Sequence, residues 1–159
     1  MPTLSKLNST ALRRLLVGAA CCCSIAAAHA QSPCSLDVDG DGRVDALTDG
    51  LLILRAASGV TGLSLVRQAV SPNATRTDPD EILAFINSHQ AADYDVDGDG
   101  YFEPDTDATI MIRYMFGLTD EAAIEDAVHP AGLRKSWPSI QAHLLKACDA
   151  SLMEAMPAN

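Results

Sequence analysis

The chain reads as an all-α protein made of two tandem copies of one unit packed into a single small domain, and three observations predict this. The string DVDGDG stands at 37–42 and again at 95–100, each time followed by a Thr-Asp pair, Thr48-Asp49 and Thr106-Asp107, and then by an apolar run. Adding 58 to each position from 37 to 90 reaches a second copy without a gap. Identities persist far beyond the acidic strings: Arg55/Arg113, Gly59/Gly117, Thr61/Thr119, Ala69/Ala127, Val70/Val128, Pro72/Pro130, Arg76/Arg134, Ile82/Ile140 and Ala84/Ala142. A repeated unit of this kind buries its apolar face against its neighbour, so the two copies are expected to share one core.

Each unit opens with the acidic loop. Asp37, Asp39 and Asp41 alternate along the chain and can turn three oxygens toward one hard cation, as positions 1, 3 and 5 of a calcium loop do; Asp95, Asp97 and Asp99 repeat the arrangement. Gly42 and Gly100 fall at position six, where the chain bends sharply. Arg43 and Tyr101 occupy position seven, which contributes only its backbone carbonyl, and Asp45 and Glu103 occupy position nine, which often ligates through water. Val44 and Phe102, at position eight, are expected to turn inward and join the loops by a short β-bridge. The usual closing Glu at position 12 is replaced by Thr48 and Thr106, and the acid comes one residue later, at Asp49 and Asp107. The expectation is a longer loop in which Asp49 and Asp107 close on the ion in bidentate fashion while Thr48 and Thr106 cap the next helix.

Three helices should follow in each unit: an exit helix over 49–58, a second over 62–70, and a third over Pro79–His89. Gly59 and Gly117 are suited to stop the first helix, and Thr61 and Thr119 to cap the second. Asp78, Pro79 and Glu81 form an N-terminal signature for the third, with Ser136 and Pro138 in the same role in the second unit. Leu51, Leu52 and Leu54, with Thr109, Ile110 and Ile112, are expected to supply one buried face, and Ile82, Leu83 and Ile86 another.

Ahead of the repeats, Lys6, Arg13 and Arg14 precede an apolar stretch over 15–28 and the tripeptide Ala28-His29-Ala30. This is the pattern of a secretory signal peptide cleaved after Ala30, too short for a comfortable membrane span, and it places the protein outside the cytoplasm, secreted or periplasmic. Lipoprotein processing at Cys21, Cys22 or Cys23 is the alternative. The domains are therefore 1–30 leader, 31–150 duplicated domain (repeats at about 37–92 and 95–150), and 151–159 tail. Without the leader, 8 basic residues face 21 acidic ones, a net charge of −13, and 11 of the acids sit in the two loops. Such a charge excludes nucleic acid and anionic membrane as natural partners. Only Cys34 and Cys148 remain, and in an oxidising compartment they are expected to form a disulfide that ties the ends of the duplicated domain together.

The tandem DVDGDG loops, each followed directly by an apolar helix, resemble dockerin type I repeats, members of the wider EF-hand-like calcium-binding group. The resemblance covers the loop and exit-helix portions, and residues 31–36 ahead of the first loop are too few for an entering helix, as in dockerins. It implies two tandem EF-hand-like repeats, two bound Ca2+ ions, and a cohesin-like or other extracellular protein as partner. The alternative is a stand-alone structural calcium protein with no such partner. Exposure of Tyr114, Met115 and Phe116 would favour attachment, and their burial between the repeats would favour the stand-alone protein.

No enzyme is expected. His89, His129 and His143 lack metal-ligand spacing and read as surface or packing residues, and neither a phosphate loop nor a nucleophile elbow is present. Trp137 reads as a packing anchor more readily than a carbohydrate platform, and Arg55 and Arg113 either pair with a loop acid, cap a carbonyl, or stay solvated.

Overall fold

The computed structural model describes residues 34–148, so the expected leader with Cys21, Cys22 and Cys23, and the tail at 151–159, lie outside the described residues. Among the described residues the regular structure is entirely helical. Behind the first acidic loop a π-helical turn, Ala46–Gly50, runs into α1 (Leu51–Ala57). Next come α2 (Leu63–Val66), α3 (Pro79–His89) and a π-helical turn, Gln90–Tyr94, that delivers the chain to the second loop. The sequence of elements then returns as a π-helical turn at Pro104–Ala108, α4 (Thr109–Met115), α5 (Glu121–Ile124) and α6 (Trp137–Ala147). None is long and apolar enough to cross a membrane.

The π-helical turns explain where the extra loop residue goes. Gly50 N donates to Asp45 O, and Ala108 N to Glu103 O, each at 3.1 Å and each five residues back. One added residue per loop is absorbed as one widened turn. The exit helix expected at 49–58 is thus a wide turn plus the shorter α1, and the fully buried residues are Leu52 and Ile53, with Leu51 and Leu54 half-buried. In the second unit Ile110 and Met111 are fully buried while Thr109 and Ile112 are partly exposed.

Several caps differ from expectation. α2 and α5 are single turns whose caps are Gly62 and Asp120, both at positive φ (61° and 57°), and neither Thr61 nor Thr119 makes the capping bond. These turns end early because a side chain satisfies their last carbonyls: Arg55 Nη1 donates to Leu65 O and Arg67 O at 2.8 Å each, and Arg113 Nη1 donates to Ala123 O and to Glu125 O. Asp78 does cap α3, accepting from Asp80 N and Glu81 N. Ser136 holds the same place before α6, but its hydroxyl meets Ser139 Oγ rather than a backbone amide. Gly59 and Gly117 end α1 and α4 at φ 75° and 84°.

The core runs through both units. Leu52, Ile53, Ile82, Ile86, Ile110, Met111, Ile140 and Leu144 have no exposed surface, each contributing about 1.5–3 kcal/mol of transfer free energy. α1 packs against the second unit's π-helical turn and α4 against the first unit's. Gly50 permits the latter approach: a Cβ there would lie 3.0 Å from Ile112 Cγ1 and Met115 Sδ. Trp137 is buried beside Tyr114, ring centroids 5.5 Å apart, as a packing residue. Val44 is buried and Phe102 packs 5.4 Å from Tyr94, yet no β-bridge joins them. At the ends of the domain Cys34 and Cys148 are disulfide-bonded, Ser35 N donates to Ala147 O at 2.9 Å, and Tyr94 Oη donates to Ser35 O.

Candidate metal centre

Alternation along the loop converts directly into convergence. Asp37, Asp39 and Asp41 each bring a carboxylate oxygen within 4.8 Å of the others, and Asp95, Asp97 and Asp99 do the same. Short side-chain-to-backbone bonds hold this shape: Gly42 N donates to Asp37 Oδ2 (3.0 Å), Asp41 N to Asp39 Oδ1 (3.2 Å) and Arg43 N to Asp41 Oδ1 (2.9 Å). The second loop repeats them as Gly100 N to Asp95 Oδ2, Asp99 N to Asp97 Oδ1 and Tyr101 N to Asp99 Oδ1. Asp37 Oδ1 is buried with no donor in good hydrogen-bond geometry, although the Gly40 amide favours the ionised form of the same carboxyl; in the second loop Gly98 N donates to the equivalent Asp95 Oδ1 at 2.7 Å. An orphaned carboxylate oxygen among two further carboxylates is the donor arrangement that a hard cation satisfies.

Asp49 and Asp107 do not join these groups. Asp49 has no exposed surface, and its Oδ1 accepts from Val38 N (2.7 Å) and Asp39 N (3.1 Å), its Oδ2 from Asp45 N (2.8 Å) and Thr48 Oγ1 (3.2 Å). Asp107 repeats all four contacts with Val96 N, Asp97 N, Glu103 N and Thr106 Oγ1. A carboxylate offers about four acceptor positions, so each is fully used in bracing the loop. The hydroxyls expected to cap a helix, Thr48 and Thr106, are spent on this brace. The capping bond comes instead from Asp45, whose carboxylate accepts from Leu47 N.

Burial sets the electrostatics. It pushes Asp49 up to about 7 against the combined pull of its backbone donors, with the charges of Asp39 and Asp37 adding to the rise. Burial likewise raises Asp37, Asp39 and Asp107. Two carboxylates 4.8 Å apart repel by on the order of 3 kcal/mol at an effective dielectric of 20. A divalent ion would replace the mutual repulsion with attraction and offset the cost of burying the charges.

Among the remaining site residues, Arg43, Asp45 and Tyr101 are exposed. Glu103 offers an oxygen within 4.8 Å of ligand atoms of Asp99 and of His129, whose Nδ1 lies 2.8 Å from Asp99 Oδ2. His129 was expected on the surface or in packing; the 58-residue register places it where the first unit has Ser71, and only the fold brings it to the loop edge. His89 Nδ1 lies 2.7 Å from Phe85 O and the half-buried His143 Nε2 3.1 Å from Asp93 O, both in packing roles. Two further residues, beyond their identity in the repeat, grip the loops from outside. Arg76 donates from Nε to Val38 O at 2.7 Å and from Nη2 to Asp37 O, and Arg134 donates equivalently to Val96 O and Asp95 O. The exact 58-residue recurrence of an arginine was the available signal.

Comparison of the chain with protein-family models, with curated proteins and with solved structures found no match in any of the three.

Proposed function

We propose that this protein is an exported calcium-binding protein whose two acidic loops each take one Ca2+ and thereby stabilise a duplicated, EF-hand-like helical domain. The observation that carries this is the convergence of three carboxylates in each loop, with the buried Asp37 Oδ1 left without a donor. The donor set is all oxygen, as calcium requires: Asp37, Asp39 and Asp41 with the Arg43 carbonyl, and Asp95, Asp97 and Asp99 with the Tyr101 carbonyl. Asp45 and Glu103 stand at the water-mediated position. Asp49 and Asp107 hold the loop from behind, and ligation by either would need one of its present hydrogen bonds to exchange.

Between the two roles open for such a domain, the packing of α4 favours the stand-alone structural protein over a dockerin-type attachment module. Tyr114 and Met115 are 8% and 3% exposed, and Met115 lies against Gly50 of the other unit, leaving Phe116 alone at the surface of that group. Calcium titration by calorimetry into oxidised, metal-stripped protein, with thermal unfolding in parallel, tests the proposal. Two ions per chain are expected. At a hundredfold excess over Kd each site would add about 2.7 kcal/mol, together on the order of 20 °C in melting temperature. The absence of both binding heat and stabilisation at millimolar calcium would overturn it.

A further inference from the structure

We propose that the connection after the second helix of each unit, 71–76 and 129–134, is a strap that clasps the ion loop, and that Arg76 and Arg134 are positioning residues setting its affinity. This rests on the calcium-binding role proposed above. Within the straps the two units share only Pro72/Pro130 and Arg76/Arg134; Ser71, Asn73 and Thr75 become His129, Ala131 and Leu133. What persists is the arginine and the backbone course that delivers it.

The main contacts recur in both units. Ser71 N donates to Asp39 Oδ2 at 2.7 Å, and Thr75 N and Arg76 N donate to Asp39 O at 3.1 and 2.8 Å. His129 N donates to Asp97 Oδ2 at 2.7 Å and Arg134 N to Asp97 O at 2.7 Å. With the guanidinium on the carbonyls of loop positions one and two and the strap backbone on that of position three, three consecutive peptide units are fixed from outside. Fixing them fixes the Cα–Cβ directions of Asp37 and Asp39, so the ion meets carboxylates that are already aimed. Arg76 is itself seated, its guanidinium carbon 3.8 Å from the Phe85 ring centroid.

Each arginine brings positive charge to an anionic loop while bonding carbonyl oxygens rather than carboxylates, so the ligand atoms stay available. The Arg76 charge lowers Asp39, opposing the rise from burial, and Arg134 Nη2 stands 3.9 Å from Asp95 Oδ1. Position four must be glycine for the strap to lie this close. A Cβ on Gly40, at φ 73°, would overlap the Thr75 hydroxyl and come 3.3 Å from Arg76 Cζ; on Gly98, at φ 80°, it would come 3.0 Å from the Arg134 guanidinium.

The test uses one reporter per loop. The Gly42 and Gly100 amides donate to Asp37 Oδ2 and Asp95 Oδ2, so their NMR resonances follow calcium at the first and second loop separately. In the full, oxidised chain Arg134→Met should weaken the Gly100 midpoint about tenfold or more and leave the Gly42 midpoint within about twofold. Arg76→Met should do the converse. Arg134→Lys, which keeps the charge but lacks the rigid planar fork that meets both carbonyls at once, should fall between, and it carries the test if the methionine variant does not fold. Equal weakening at both loops would signal general destabilisation and overturn the positioning role, as would unchanged midpoints. If neither glycine of the wild-type protein responds to calcium, the calcium-binding role falls and the arginine role with it; a wild-type response with indifferent variants removes the arginine role alone.

Discussion

Removing the Asp49 carboxylate in calcium-free protein sets two large effects against each other, and pH separates them. In Asp49→Ala the buried amides of Val38 and Asp39 lose their acceptor, and a buried donor left unsatisfied costs about 1–3 kcal/mol, so about 2–6 kcal/mol is at stake. Against this, the wild-type carboxyl is pushed up to about 7 by burial. A folded-state value above the unfolded one stabilises the fold fully below the unfolded value, and that stabilisation is lost as pH rises through the folded one. Between an ordinary value near 4 and about 7, at 1.36 kcal/mol per pH unit, the loss is on the order of 4 kcal/mol. The penalty of Asp49→Ala should therefore be largest near pH 4 and shrink by a few kcal/mol toward pH 8. Urea unfolding of oxidised protein in chelator across that range, with Asp107→Ala in parallel, measures it. A penalty that grows with pH would mean the loop amides hold the ionised form, refuting the dominance of burial; one below about 0.5 kcal/mol throughout would refute the brace itself.

Asp120 caps α5 at φ 57°, ψ −145°, a conformation that its counterpart Gly62 adopts at φ 61°, ψ −151°. Asp120→Gly should relieve about 1 kcal/mol of strain and raise the melting temperature by a few degrees in calorimetry, whereas an unchanged or lower value would count against the strain. Replacing Cys34 and Cys148 by Ser opens a cross-link spanning 114 residues; up to about 4–5 kcal/mol should be lost in chemical denaturation, and an unaltered midpoint would show that the helical packing alone holds the ends. Met115→Ala should cost about 2–5 kcal/mol if this residue is the seal between the units at Gly50; a change within experimental error would restore the α4 face as a candidate attachment surface.

The parts of this fold written in local spacing were legible, and the parts made by distant contact were not. Carboxylates alternating beside glycine give the converging groups at Asp37, Asp39 and Asp41 because an Asx-type loop bonds within itself. Asp78 ahead of Pro79 marks the start of α3 for the same reason, since a cap acts within three residues. The doubled arginine at Arg55 and Arg113 left three outcomes open until α2 and α5 were placed beneath it. Asp49 looked like a closing ligand because the extra residue in its loop can either extend the reach of the acid or widen a turn, and only the i to i+5 bonds of the π-helical turn decide between them. The short α2, the strap and the approach of His129 to Asp99 depend on contacts across ten or more residues, for which composition and periodicity carry no signal.

Placing Asp49 behind the loop rather than in front of it changes what calcium would do for this protein. In a loop whose last acid is a ligand, the ion itself draws the following helix into place. Here the brace from Asp49 already links Val38, Asp39 and Asp45 to the head of the π-helical turn, the strap fixes the other side, and α1 and α4 are seated on each other's turns. The backbone of both loops is thus held on two sides by protein contacts. What remains open is charge: Asp37, Asp39, Asp49 and Asp107 are all raised by burial, and Asp37 Oδ1 has no donor. Calcium would then act by removing an electrostatic cost from a formed scaffold, with little helix left to order, which is the behaviour of a structural site in a calcium-rich compartment rather than of a switch that opens a binding face.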